Sequence, residues 1–165
     1  MNLDELKGEK RFEGLRVILG VTGGIAAYKS CILVRRLIEE GAEVQVVMTS
    51  SAQQFIAPLT FATLSGRNVL CDMFPQPPPP VPIHLTPAQW GKILIVAPAT
   101  ANFLAQVAQG LANDLLSLIT LAFNGPCLLA PAMNSQMWEN RAVQENIAIL
   151  KKRGFQLVGP NWGEM

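Results

Sequence analysis

The stretch Leu15-Arg-Val-Ile-Leu-Gly-Val-Thr-Gly-Gly-Ile-Ala-Ala-Tyr-Lys29 passes from an apolar run through a pair of glycines into a helical pattern. Leu15 to Gly20 reads as a buried strand, and Ile25 to Glu40 as a helix with Ile25, Leu33, Leu37 and Ile38 inward, stopped by Gly41. Val44 to Met48 reads as a second strand. Strand, glycine turn, helix and strand in succession make a βαβ unit, which requires the two strands to run parallel. The same alternation continues outward from it. Ser50 to Ile56 and Leu59 to Leu64 look helical, separated by Pro58, and Ile93 to Ala97 is a third strand. Asn102 to Gln109 and Asp114 to Ala122 read as helices, Leu128 to Ala130 as part of a fourth strand, Arg141 to Arg153 as a helix and Phe155 to Val158 as a last strand. The prediction is an α/β, doubly wound fold of Rossmann-like or flavodoxin-like type, with helices on both faces of a parallel sheet. It forms one domain over residues 15–165, behind a polar extension over residues 1–14.

Composition narrows the partners. The chain has 165 residues, half of them hydrophobic, and a formal net charge of +1 without a basic stripe. Nucleic acid is therefore excluded as an expected partner. Leu118 to Phe123 and similar runs fall far short of the roughly 20 residues that span a bilayer, and the first 14 residues lack the apolar centre of a signal peptide. A cytoplasmic protein is expected, and its apolar content predicts burial between subunits. Cys31, Cys71 and Cys127 lie far apart and read as free thiols, neither a disulfide frame nor a metal site.

In an open parallel sheet, ligands bind outside the carboxyl ends of the strands. Four of those ends are chemically distinctive. After the first strand, Gly20-Val-Thr-Gly-Gly-Ile-Ala-Ala-Tyr-Lys29 allows close approach to an anion at a helix N-terminus, yet matches neither the P-loop nor the G-x-G-x-x-G spacing. After the second comes Met48-Thr-Ser-Ser51, hydroxyls where a dinucleotide fold usually has a ribose-binding acid. This suits a phosphate monoester. After the third and fourth come Ala97-Pro-Ala-Thr-Ala-Asn102 and Pro131-Ala-Met-Asn-Ser-Gln-Met-Trp138, small residues and amides suited to a flat organic ligand. Pro75 to Pro82 holds six prolines in eight residues, which predicts a stiff extended loop, and the only histidine, His84, follows it. Each feature also has a plain structural explanation: Asn102 and Asn134 as helix caps, Met133 and Met137 as core packing, Trp138 as an interface anchor, the proline run as a spacer.

Taken in order, the glycine turn, His84, Ala97 to Asn102 with Gly110-Leu-Ala-Asn-Asp-Leu-Leu116, and Pro131 to Trp138 resemble the flavin-dependent cysteine decarboxylases, over nearly the whole chain from Leu15. Among these the resemblance is strongest to enzymes acting on phosphopantothenoylcysteine in coenzyme A synthesis. It implies FMN as cofactor. Thr22, Gly23, Gly24, Thr49 and Ser50 would hold the phosphate and ribityl chain, and Ala99, Thr100, Ala101 and Asn102 would contact the flavin. His84 would assist thiol deprotonation, Asn134 would grip the substrate carboxylate, and Met137 would lie beside it. The resemblance further implies a homotrimer with FMN between subunits, and assembly to a dodecamer. Its chemistry would oxidise the cysteine to a thioaldehyde, release carbon dioxide to give an enethiol, and reduce that to 4'-phosphopantetheine with a proton from a flap cysteine.

The flap cysteine of that family lies beyond a segment like Gly159-Pro-Asn-Trp-Gly-Glu-Met165, and none of the three cysteines here matches it. The expectation is that flap and synthetase domain are absent and only the oxidative half-reaction proceeds. Gly91-Lys92 also stands where the family has Ala-Asp, a surface difference. Two other classes bear on the reading. A flavin-binding regulatory subunit would bind FMN without turnover, and a related prenyltransferase would lack Pro131-Ala-Met-Asn134. A peptidyl-cysteine substrate is the alternative within the decarboxylases.

Overall fold

Arg16–Val21 forms β1, and five of its six residues are buried. Such an uninterrupted apolar run suits only a strand covered on both faces. In the computed structural model, which describes residues 10–159, β1 is hydrogen-bonded on one side to β2 (Glu43–Met48) and on the other to β3 (Ile93–Ala99). β4 (Cys127–Pro131) and β5 (Gln156–Leu157) continue the sheet beyond β3. All pairs are parallel, in the order β2-β1-β3-β4-β5. The doubly wound prediction holds, and the order reverses between β1 and β3, where such folds open a ligand crevice.

Alternate residues of the strands feed two cores. Val17, Leu19, Val44 and Val46 pack with Ala27, Val34, Leu37 and Phe61 beneath α1 (Ala27–Glu39) and α2 (Pro58–Ser65). Ile18, Val47, Leu94 and Val96 pack on the other face with residues of α4 (Ala101–Gln109), α5 (Leu115–Ala122) and α7 (Arg141–Lys152). Gly20 lets α5 lie close on β1, since a Cβ there would stand 2.5 Å from Leu116 Cδ1. Two short helices complete that layer, α3 (Leu85–Trp90) and α6 (Ser135–Glu139).

Several boundaries differ from the sequence expectation. The first helix begins at Ala27, because Gly23 to Ala26 remain in the turn, and Ile25, expected inward, is 70% exposed. Ser50 to Ile56 shrinks to a 3-10 turn at Ala52–Gln54, where Thr49 Oγ1 accepts the Ala52 N–H at 3.2 Å. Pro58 opens α2 instead of separating two helices, since a first-turn proline gives up no helical hydrogen bond. α3 was not anticipated, because Pro87 masks it. Within the first turn that proline costs little, and here it is buried. Pro75 to Pro82 forms neither helix nor strand, as expected.

Of the polar extension, residues 10–14 form a turn held to the α1–β2 connection by Phe12 N–H to Glu40 O at 2.8 Å and Gly14 N–H to Gly41 O at 3.1 Å. Residues 1–9, and residues 160–165 of the expected flap approach, lie outside the described residues. No described helix is long and apolar enough to cross a membrane.

Candidate functional site

Backbone hydrogen bonds join the carboxyl ends of four strands into one row. Thr49 N–H donates to Val21 O at 3.1 Å, Thr22 N–H to Pro98 O at 3.3 Å, and Ala132 N–H to Ala99 O at 3.1 Å. The distinctive stretches singled out above therefore share one edge of the sheet: hydroxyls after β2, glycines after β1, small residues after β3, and the Asn134 amide after β4.

The glycine turn and the hydroxyl turn touch. A Cβ on Gly23 would lie 2.3 Å from Ser51 Cβ and 2.8 Å from its carbonyl carbon, whereas one on Gly24 would meet only Thr100 Cγ2 at 3.8 Å. Gly23→Ala is therefore expected to destabilise the chain by about 1–3 kcal/mol through overpacking, while Gly24→Ala stays close to the parent. Thermal unfolding distinguishes them, and equal melting temperatures would refute the close approach.

Between Gly23 and Ala26 no backbone N–H finds an acceptor among the described residues, and α1 has neither a side-chain cap nor an acidic residue in its first turn. Free N–H groups at the positive end of a helix dipole form an anion seat. Beside it, Thr49 is half-buried and Ser50 exposed. Because Thr49 Oγ1 accepts the Ala52 N–H, its own proton remains available to donate.

Thr22 enters this site differently from the sequence expectation. It is 2% exposed, and its hydroxyl donates to Pro98 O at 2.6 Å and accepts the Thr100 N–H at 3.0 Å. With its only O–H spent inside the protein, it has no proton to offer a phosphate. Ala99 is likewise fully buried, with its carbonyl bonded to Ala132. Thr100 caps α4 by accepting the Phe103 N–H at 3.4 Å, followed by half-buried Ala101 and exposed Asn102. Asn102 is thus no cap, and its exposed amide makes no hydrogen bond among the described residues.

Asn134 is a cap. Its Oδ1 accepts the Met137 N–H at 2.8 Å, starting α6. That bond orients the amide, so the Nδ2 group, with two N–H donors, faces outward from an exposed side chain. Met137 is 45% exposed and not core packing, whereas half-buried Met133 and Trp138 pack on the core.

His84 precedes α3, half-buried, with no side-chain hydrogen bond among the described residues. α3 packs against α5 and β1, and no described hydrogen bond ties His84 to the row of strand ends. The row of strand ends brings together the expected positions after β1, β2, β3 and β4, and no hydrogen bond among the described residues links His84 to them. Sequence reasoning placed Ser51 in the hydroxyl stretch without assigning it a contact, and it missed Ser30. A serine at a buried position of the α1 stripe Ala27, Ser30, Val34, Leu37 was the available signal for the latter.

The cysteines lie elsewhere. Cys127 starts β4, at the opposite end of the strand from Pro131, and burial pushes its thiol up to about 11. Cys71 follows an edge bridge between Val47 and Leu70, outside β2, and burial first, then the charge of Asp72, raise its pKa. Cys31 lies on α1 against the core beneath that helix, its pKa also raised by burial.

A family model described as Flavoprotein matches residues 6–165. The chain is 48% identical over 151 residues to the coenzyme A biosynthesis bifunctional protein CoaBC of Vibrio vulnificus, covering 92% of this chain and 38% of that protein. It is 44% identical over 150 residues to CoaBC of Escherichia coli, covering 91% and 37%. The chain thus spans less than two-fifths of these curated relatives. Among solved structures, the FMN-dependent cysteine decarboxylase SpaF is similar with a TM-score of 0.83 at 29% identity, covering 92% of this chain and 85% of that one. A PPC decarboxylase mutant complexed with pantothenoylaminoethenethiol gives 0.75 at 29%, covering 90% and 84%.

Proposed function

The chain belongs to the flavoprotein family, and from that premise we propose that it binds FMN along the row of strand ends and decarboxylates 4'-phospho-N-pantothenoylcysteine in coenzyme A biosynthesis. The observation that carries this reading is the row itself: an uncapped helix N-terminus and hydroxyls at one end, an outward amide at the other, small residues between. The N–H groups of Gly23 and Gly24, without acceptors among the described residues, suit a phosphate monoester together with the hydroxyls of Thr49 and Ser50, and none of these four residues carries a carboxylate to oppose it. Thr100, Ala101 and Asn102 would border the flavin, with Thr22 and Ala99 shaping the turn from beneath. When bound, FMN supplies a two-electron acceptor for the substrate's cysteinyl group.

This chain's residues would do the rest. Asn134 holds the substrate carboxylate through Nδ2, next to Met137, and His84 takes the thiol proton. We propose that His84 reaches the site in a trimer, with further assembly to a dodecamer. The exposed apolar side chains Ile25 (70%), Leu59 (75%) and Phe74 (83%) support burial between copies. Such a protein would work in the cytoplasm.

The purified protein is expected to be yellow and to release FMN, not FAD or NAD, on denaturation, with flavin content following the trimer. A colourless preparation that takes up no FMN would sink the proposal. Asn134→Asp tests the substrate end. Aspartate caps a helix as well as asparagine, so melting temperature and flavin content should match the parent. Its charge would oppose the substrate carboxylate and remove the Nδ2 donors, weakening substrate binding by about tenfold or more, the loss expected from a charge-assisted hydrogen bond. Unchanged substrate affinity would remove Asn134 from the site.

The finer proposal is that residues 1–165, by themselves, complete only the oxidative half of the reaction. That a PPC decarboxylase mutant holds pantothenoylaminoethenethiol supports the enethiol as the species to expect.

A further inference from the structure

Two buried hydroxyls tie the β1–α1 segment to the end of β3, and the proposed chemistry uses neither. Thr22 Oγ1 donates to Pro98 O at 2.6 Å and accepts the Thr100 N–H at 3.0 Å, and Ser30 Oγ, on α1, donates to Ala97 O at 2.6 Å. Thr22 is 2% and Ser30 3% exposed.

The strand register explains why they are needed. β1 and β3 pair through Gly20 and Val96, and the β3–β4 pairing shifts between Val96 and Ala99. Ala97 and Pro98 fall in that gap. There the pairing is irregular, with Pro98 O accepting the Thr22 N–H at a long 3.3 Å, and buried carbonyls short of donors are disfavoured. Hydroxyls from Thr22 and Ser30 add a short donor to each of these carbonyls, and Thr22 accepts the backbone N–H of Thr100, the residue that caps α4.

We infer that Thr22 and Ser30 are positioning residues: their hydroxyls lock the glycine turn to the Ala97–Thr100 turn, setting the spacing between phosphate seat and flavin seat before FMN arrives. The inference rests on the FMN reading above. Thr22 stands directly before Gly23, and of its two hydroxyl partners Thr100 is among the residues assigned to the flavin and Pro98 immediately precedes them. Without the clamp, the two turns would have to be ordered by the ligand, and that ordering cost would appear as lost affinity.

The test uses the full 165-residue chain stripped of FMN. Thr22→Val removes the hydroxyl at nearly constant volume, Thr22→Ser keeps it, and Ser30→Ala removes the second anchor. FMN dissociation constants come from flavin fluorescence, and hydrogen exchange of the Thr100 amide is followed in the apoprotein. Thr22→Val should weaken FMN binding about tenfold, the equivalent of one lost hydrogen bond, and speed Thr100 exchange, while Thr22→Ser stays within about twofold of the parent. Ser30→Ala should weaken FMN binding without touching the Thr22 bonds, and it serves if Thr22→Val fails to fold. Parent-like FMN affinity in both Thr22→Val and Ser30→Ala, whatever their melting temperatures, would overturn the inference. A parent chain that binds no FMN overturns the FMN reading instead. The clamp would then be rejected if Thr100 exchanged equally in parent and Thr22→Val.

Discussion

His84→Asn is expected to bind FMN as tightly as the parent chain and to leave the flavin oxidised when substrate is added without oxygen. The separation follows from where His84 lies. It precedes α3, and among the described residues neither its ring nor its backbone is hydrogen-bonded to the glycine and hydroxyl turns. Replacing it removes no helix cap and no anion-seat donor, so stability and flavin content should hold. On the proposed function what is lost is a base for the thiol, and a positioned acid or base typically contributes about 10²–10⁴-fold. Anaerobic bleaching of the flavin absorbance measures this loss directly. Bleaching at the parent rate would show that the histidine is structural, and loss of flavin from the variant would place it in the cofactor site.

The same residue shows where sequence reading reached its limit. β1 to β4 could be found because buried parallel strands are short apolar runs, and their ends could be found because glycines, hydroxyls and amides interrupt those runs. Placing those ends in one row required the strand order, which no local pattern contains. Thr22 shows a second limit. Its neighbourhood to Gly23 suggested a ligand contact, but a threonine facing into a gap between strands looks in sequence like one facing a phosphate. Only the bonds to Pro98 and Thr100 distinguish them. Asn134 met its structural reading, since its Oδ1 caps α6. The cap leaves Nδ2 without a hydrogen bond among the described residues, so the proposed substrate contact does not compete with it. α3 went unseen because six residues behind a proline stretch carry too little periodicity to separate helix from loop.

The polypeptide of residues 1–165, given phosphopantothenoylcysteine without any other protein, is expected to release carbon dioxide and yield the unsaturated enethiol. On the proposed function, oxidation and decarboxylation call on the flavin site, Asn134 and His84, all within these residues. Saturating the enethiol also needs an acid beside its carbon-carbon double bond, and the cysteines are badly placed to be that acid. Cys127 stands four residues from the end of β4, roughly 13 Å at about 3.3 Å per residue, with its thiol held at about 11 inside the core. Cys71 lies outside β2, three strand spacings of about 4.8 Å from β3, and Cys31 lies on α1 against the core on that side of the sheet. The product should therefore weigh two hydrogens less than 4'-phosphopantetheine, and the flavin should stay reduced until oxygen is admitted. Mass spectrometry reads the first, absorbance the second. A saturated product would mean that a group other than these cysteines delivers the proton. Absence of flavin bleaching with the parent chain would count against the decarboxylase reading itself, because every residue assigned to the oxidative half is present.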